Sequence, residues 1–476
     1  MGYRDCVANR RRDVCRTNVR LLKNHRPRIL KRAKPYQKIV VLDSVIFFPE
    51  HRKRLDALAD QIVEYNTCET PEEVAERCRG ADCIISCWVD IPHRVIDENP
   101  QLRTVGFWTH DYEHRIDVAF ARKRGIQVPA IPDYGTDSVA ELVFVALLEL
   151  LGGLHGHWPR ESNPIEAVVA QLSDKIRLFK KNVKDTLNGR WIHEYIKTGQ
   201  RQITHSDEIP EEALKGLTVG ILDKRILQKP LLQMLSNGFR MNVIYSLSDY
   251  AHDLNIAFRP VEELVSESHA IVYDDRSLTE DLRQLIHNKC RLRKVNTANL
   301  SSNRPSLSGL KLGIVGLGRI GSRVAQIASQ GFNMHVQYFS RTPNPHLERE
   351  LHIKYAALEE VLRSSDILTF HLPHHSAENF LSDSLINEIR PGTIFINASV
   401  GNIIENEEFL LNTFRTGRLT GYLDVYRTLP PRLALRQLRA TLTPTYRLGW
   451  RTKSTVGLKT HKLLTKLEEA ARPETG

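Results

Sequence analysis

The 476-residue sequence carries 26% charged and 41% hydrophobic residues, the composition of an ordinary globular protein with room for about three domains. Seven cysteines lie at irregular spacing without a CxxC pair, which argues against a disulfide framework and a structural zinc site and favours a reducing, cytoplasmic setting. The net charge of +11 is local: residues 1–38 hold thirteen Lys/Arg and two Asp, so the body of the chain is close to neutral.

Taken in chain order, residues 1–37 read as a solvated basic tail, with an arm for nucleic acid or another anionic surface as the weaker alternative because aromatic interleaving is missing. No apolar leader core is present near the N-terminus, so secretion is not expected. From "KIVVLDSV" onward, β-rich runs at 39–43, 82–88, 103–108 and 126–131 alternate with helical stretches, which predicts βα units and a parallel sheet over residues 38–151. Cys83 and Cys87 fall in the second run and read as buried core thiols. The run "VAELVFVALLELLGG" (139–153) carries two glutamates and falls short of the roughly 20 apolar residues a bilayer requires. It is predicted to be a buried helix capped by Asp137 or Ser138, with no membrane role. Residues 152–212 are polar and patchy, a connector, and "SSNRPS" (301–306) is a second, shorter linker.

An internal repeat organises the rest. Residues 214–245 align without a gap to 307–338 with twelve of thirty-two positions identical, an ungapped register that favours duplication over chance likeness between two βαβ units. In the second copy "GIVGLGRIG" follows an apolar strand and opens a helix. Gly316 permits the tight turn, Gly318 lets the backbone approach a diphosphate, and Gly321 lets helix and strand pack closely. Backbone N–H groups at the helix start, at Arg319 and Ile320, then face the anion with the helix dipole behind them. After the next strand, Ser340-Arg341-Thr342 stands where an NAD site would carry a ribose-binding acid; an arginine between hydroxyls favours NADP, with NAD as the alternative. In the first copy the cradle positions hold Asp223, Arg225 and Gln228, and Pro230 is expected to start the helix late. That copy is predicted to keep its scaffold and lose the ligand site.

With "DYGTDSVAEL", "GRW", "LSGLKLGIVGLGRIGSRVAQ", "SSDILTFHLPHHSAENFLSD", "LINEIRPGTIFINASVGNIIENEEFL" and "GRLTGYLDVY", the chain resembles the D-isomer-specific 2-hydroxyacid dehydrogenase family over roughly residues 38–465. The resemblance implies an α/β protein with two Rossmann-like domains: a flavodoxin-like substrate domain (38–151) and an NAD(P)-binding domain (307–427). The segment 428–476 would return to the substrate domain. Residues 213–300 are then an extra, degenerate Rossmann-like copy outside the family plan. The resemblance also adds Leu372 and Pro373 of "TFHLPHHS" to the cofactor lining and implies a homodimer.

The family's catalytic residues are missing at the matching positions. The carboxylate-binding arginine is replaced by Val400 in "NASVG" and, in the first copy, by Asn299. The glutamate is replaced by Leu429 and the proton-donating histidine by Thr445 in "LTPTY". Valine cannot hold a carboxylate bidentately, and a threonine hydroxyl is a poor general acid. Weak substitutes are His110 and His114 in "WTHDYEHR", and His371, His374 and His375; Tyr446 adjoins Thr445. No His/Asp/Glu set has ligand spacing on one helix face, so no metal is expected. The favoured reading is a cofactor-binding scaffold or regulator without ordinary 2-hydroxyacid dehydrogenase activity. The alternatives are an NADP-dependent oxidoreductase on an unusual 2-oxo acid and a nucleic-acid-associated protein using its basic arm.

Overall fold

The computed structural model describes residues 34–472 apart from 44, 66–67, 69, 111, 132, 152–182, 184–213, 223–231, 247–255, 274–275, 277, 289–292, 297–306, 374–376, 429–431, 446–447 and 451. The basic tail up to residue 33 and nearly all of the connector therefore lie outside the described residues. Three parallel sheets account for the described strands.

The first sheet contains β1 (Tyr36–Val41), β2 (Ala59–Glu64), β3 (Cys83–Ser86) and β4 (Thr104–Phe107), ordered β2-β1-β3-β4. β2 was not among the predicted runs; its Ile62 pairs beside Ile39 of β1. The run 126–131 is not a full strand. It touches β4 only through single bridges, Thr104 to Gln127 and Phe107 to Ala130, and Pro129 between them has no N–H for a ladder. Cys83 and Cys87 are fully buried, as their apolar surroundings require.

The predicted helix spans Thr136–Leu151, but neither expected cap acts as one. Ser138 Oγ donates to the Gly449 carbonyl at 2.7 Å. Asp137 accepts from Arg323 Nε at 2.7 Å and Lys215 Nζ at 2.8 Å. Burial raises the Asp137 carboxyl, but the two cations outweigh it and the net shift is downward. The residue is a junction between three parts of the chain.

The second sheet contains β5 (Thr218–Ile221), β6 (Asn242–Tyr245), β7 (Ala257–Phe258), β8 (Ala270–Tyr273) and β9 (Arg293–Asn296), ordered β7-β6-β5-β8-β9. The third contains β10 (Lys311–Val315), β11 (His335–Phe339), β12 (Lys354–Tyr355), β13 (Ile367–Phe370), β14 (Ile394–Asn397), β15 (Thr420–Leu423) and β16 (Leu442–Pro444), ordered β12-β11-β10-β13-β14-β15-β16. Its first five strands repeat the order of the second sheet. The register repeats too: Gly220 sits beside Ile244, and the counterpart Gly313 beside Gln337.

β16 corrects the expected domain boundary. Residues 442–444 extend the third sheet, so the chain returns to the first sheet after β16, with Trp450 and the helix Lys453–Ala470, not at residue 428. Thr452 caps that helix by accepting from Thr455 N. Its buried face (Val456, Leu463, Leu464, Leu467) closes one side of the first sheet, and Tyr36 Oη donates to the Leu467 carbonyl at 3.1 Å. One apolar cluster joins the helix 136–151 to both duplicated units: the Phe144 ring lies 4.9 Å from Phe332 and 6.2 Å from Phe239. No helix among the described residues is long and apolar enough to cross a membrane.

Candidate functional site

In the third sheet the strand order reverses at β10, with β11 on one side and β13 on the other, and the crevice beyond their C-terminal ends is where such sheets bind ligands. Gly316 leaves β10 there with φ +101°, a left-handed value that a side chain would resist, and an added Cβ would stand 2.6 Å from the His371 carbonyl oxygen. A Cβ on Gly321 would lie 2.0 Å from the Gly316 carbonyl oxygen. Gly318, by contrast, is the exposed N-cap of the helix Arg319–Gln326, and nothing stands within 4 Å of where its Cβ would be. The first helical residues, Arg319, Ile320 and Gly321, have N–H groups without intrahelical acceptors. The turn is closed where the chain must be tight and open where a diphosphate would lie, so these residues fit a dinucleotide. In the first copy the matching residues 223–230 lie outside the described residues, as does Asn299.

Beyond β11, Ser340 Oγ donates to the Thr342 carbonyl at 2.5 Å and folds this loop back on itself. Arg341 and Thr342 are exposed. Arg341 forms no ion pair with a described residue. Asn344 then caps the helix Pro345–Leu351, accepting from Leu347 N at 3.1 Å. Leu372 is half-buried at the edge of the cradle, with its Cδ2 3.1 Å from a Cβ at Gly316, and Pro373 is exposed beside it.

His371 is a poor proton donor. Its backbone N–H donates to the Val315 carbonyl at 2.8 Å, its ring Nε2 lies 3.0 Å from Thr369 Oγ1, and its ring Nδ1 is buried without a partner. Burial pushes the imidazole down to about 3, so it is neutral at ordinary pH. His374, His375 and Tyr446 lie outside the described residues. His110 is exposed, its ring 5.6 Å from the Tyr134 ring. His114 opens onto a groove of about 720 Å³ lined entirely by the first domain, among its walls Trp88, Asp90 and Arg115. No cradle residue borders that groove.

Of the vacated catalytic positions, Val400 follows β14 and Thr445 follows β16 at the same end of the third sheet, and Leu429 lies outside the described residues. Val400 packs half-buried against the apolar cluster of the third sheet, its carbonyl accepting from Asn397 Nδ2 at 3.0 Å. Gly401 presses on the backbone of Tyr426, 2.0 Å from where its Cβ would be. Thr445 follows β16 and is fully buried. Its hydroxyl donates to Asp424 Oδ1 at 2.5 Å and lies 2.6 Å from the Tyr422 hydroxyl. Leu448 N and Gly449 N donate to the same carboxylate at 2.8 and 3.1 Å. The histidine's place is thus taken by a closed structural network.

Sequence reasoning missed Lys459. It is fully buried on the return helix, its Nζ 3.6 Å from the Trp108 ring centroid, 4.5 Å from Tyr134 and 4.6 Å from Trp450. Asp43 nearby accepts backbone bonds from Cys87, Trp88 and Val89, which anchors the loop after β3. A lysine in "KSTVGLKTHKLL" carries no local mark of such a cage. Among the described residues no group of three His, Cys, Asp or Glu is placed to hold a metal ion.

Residues 277–444 match the family model for the D-isomer specific 2-hydroxyacid dehydrogenase NAD-binding domain; the match begins within the unit of the second sheet. A glyoxylate reductase of Aeropyrum pernix is 37% identical over 126 residues, 26% of this chain and 37% of that protein, so the chain matches little more than a third of such curated relatives. Two solved structures share the fold. One is a D-isomer specific 2-hydroxyacid dehydrogenase from Polaromonas sp. JS6 66, with TM-score 0.52, 20% identity and coverage of 91% of this chain and 95% of that one. The other is an acyclic imino acid reductase in complex with NADPH and D-Arg, with TM-score 0.51, 17% identity and coverage of 91% and 96%.

Proposed function

From its membership of the D-isomer-specific 2-hydroxyacid dehydrogenase family, to which this chain belongs, we propose that it binds a nicotinamide dinucleotide, NADP(H) in preference to NAD(H), without performing ordinary 2-hydroxyacid dehydrogenation, and acts as a cofactor-responsive scaffold or regulator. The observation that carries this reading is Thr445: at the position of the proton donor, a buried hydroxyl already donates its hydrogen bond to Asp424 at 2.5 Å.

A bound nicotinamide would supply hydride. The chain's own residues do the rest of the binding and little of the chemistry. The N–H groups of Arg319, Ile320 and Gly321 would hold the diphosphate over Gly318, and Arg341 with Ser340 and Thr342 would meet a 2′-phosphate. Val400 offers no cation to a substrate carboxylate, and His371 is held neutral. Losing general acid–base help alone costs about 10²–10⁴-fold in rate.

A response to cofactor has a material route. The helix that starts at the cradle ends against the helix 136–151, where Arg323 binds Asp137, and against the degenerate copy, where Gln326 Oε1 accepts from Arg240 Nη2 at 2.7 Å. The test is a nicotinamide-fluorescence titration with NADPH, followed by a panel of 2-oxo acids. Saturable binding with a steady signal after each acid is expected. Consumption of NADPH with any acid of the panel refutes the loss of activity, and absence of saturation refutes the cofactor site.

A further inference from the structure

The two duplicated units meet through equivalent residues. A Cβ on Gly238 would stand 3.0 Å from the Cα of Gly331, and a Cβ on Gly331 2.9 Å from the Cα of Gly238. The Phe239 and Phe332 rings meet edge to face at 5.9 Å. The contact is made by two widened helical turns, Gln233–Gly238 and Ile327–Gly331, at matching places in the two copies. An interface in which a residue meets its own counterpart is isologous, the arrangement by which two identical subunits pair about a two-fold axis.

What the copies still share follows that patch. None of positions 222–232 matches its counterpart in 315–325, the stretch that holds the cradle. By contrast Gly238, Phe239, Met241, Val243 and Tyr245 are identical to Gly331, Phe332, Met334, Val336 and Tyr338. Phe239, Met241, Phe332 and Met334 are all buried in the shared core. The duplicated segment keeps the surface that meets its twin and not the surface that would meet a dinucleotide. Arg240 bonds Gln326 directly, and the helix 136–151 bridges the pair, its Asp137 accepting from Lys215 and Arg323 and its buried Glu141 from Leu214 N at 3.1 Å.

We infer that residues 213–300 are a built-in partner, covering within one chain the apolar two-fold face through which the cofactor unit would otherwise pair with a second molecule. The protein is then a monomer, in place of the homodimer that the family resemblance implies. An uncovered face of this kind, with paired phenylalanines and methionines around a glycine, would drive association.

Sedimentation equilibrium of the full chain across the micromolar range is expected to return the mass of one chain; the mass of two overturns the inference. Gly238→Leu gives a second test, because its side chain meets the backbone of Gly331 and must lift the copy away from the cofactor unit. That variant is expected to associate as its concentration rises while keeping the far-ultraviolet dichroism of the parent. A folded Gly238→Leu protein that stays monomeric shows that the face does not associate, and the inference fails. Where the variant does not fold, the mass of the parent chain decides.

Discussion

Gly318→Asp separates binding from folding in a way no other change at the cradle does. The residue is the N-cap of the helix Arg319–Gln326, with extended backbone at φ −80° and ψ −164°, and its missing Cβ faces open space. Aspartate is among the preferred N-caps, since its carboxylate accepts from the orphan N–H groups of the first turn, and relative to glycine it is worth a few tenths of a kcal/mol. The folded state should therefore be unharmed or slightly more stable. The same carboxylate occupies the anion's place. Two unit charges about 4 Å apart interact by about 4 kcal/mol at an effective dielectric of about 20. Discounting for solvent leaves about 3 kcal/mol, roughly a hundred-fold loss of NADPH affinity. Fluorescence titration and thermal melts of parent and variant measure both quantities. Unchanged affinity would refute the cradle. A melting temperature several degrees lower would refute the capping geometry, and with it the claim that Gly318 is open.

Three further changes test the rest of the reasoning. Arg341→Ala should remove one charge-assisted contact of about 1.5–3 kcal/mol, lowering NADPH affinity by about 10- to 150-fold and leaving NADH affinity as it was; equal losses for both cofactors would show that Arg341 does not meet a 2′-phosphate. Thr445→Val deletes the hydroxyl that bonds both the Tyr422 hydroxyl and Asp424, two buried hydrogen bonds of about 0.5–1.5 kcal/mol each, so urea denaturation should show about 1–3 kcal/mol of destabilisation, and a neutral result would mean the network is loose. Burial pulls the Lys459 ammonium from 10.5 down to about 8, which outweighs the help of Cys87 and Asp43. Below pH 8 both folded and unfolded chains carry that proton, whereas between pH 8 and 10.5 the unfolded chain binds more, so stability of the parent should rise across that window. Lys459→Met should accordingly be more stable than the parent by up to about 3 kcal/mol at pH 7, an advantage that shrinks toward pH 10; a difference that is flat in pH would show that the Trp108, Tyr134 and Trp450 rings keep the ammonium fully charged.

The features legible in the sequence are those that a short stretch of backbone imposes on itself. The turn at Gly316 and the close packing at Gly321 each demand glycine, Gly318 keeps the anion's place open, and the ungapped likeness of 214–245 to 307–338 pointed to a duplicated strand–helix unit. The absence of arginine, glutamate and histidine at 400, 429 and 445 is likewise a matter of reading positions. Other features depended on which distant segments come together. Asp137 reads as a helix cap until Arg323 and Lys215 arrive to bind it, and β16 reads as part of the return segment until it pairs with β15. Trp108 finds Thr460 across the whole protein at 3.0 Å, and Lys459 beside it gains a cage of three rings from three separate stretches. The two glycines at 238 and 331 each look like the end of a helix. Only the folded chain shows that they end there in order to touch, because backbone geometry writes its requirements into neighbouring residues, while packing between remote segments is satisfied by many residue types and leaves no pattern behind.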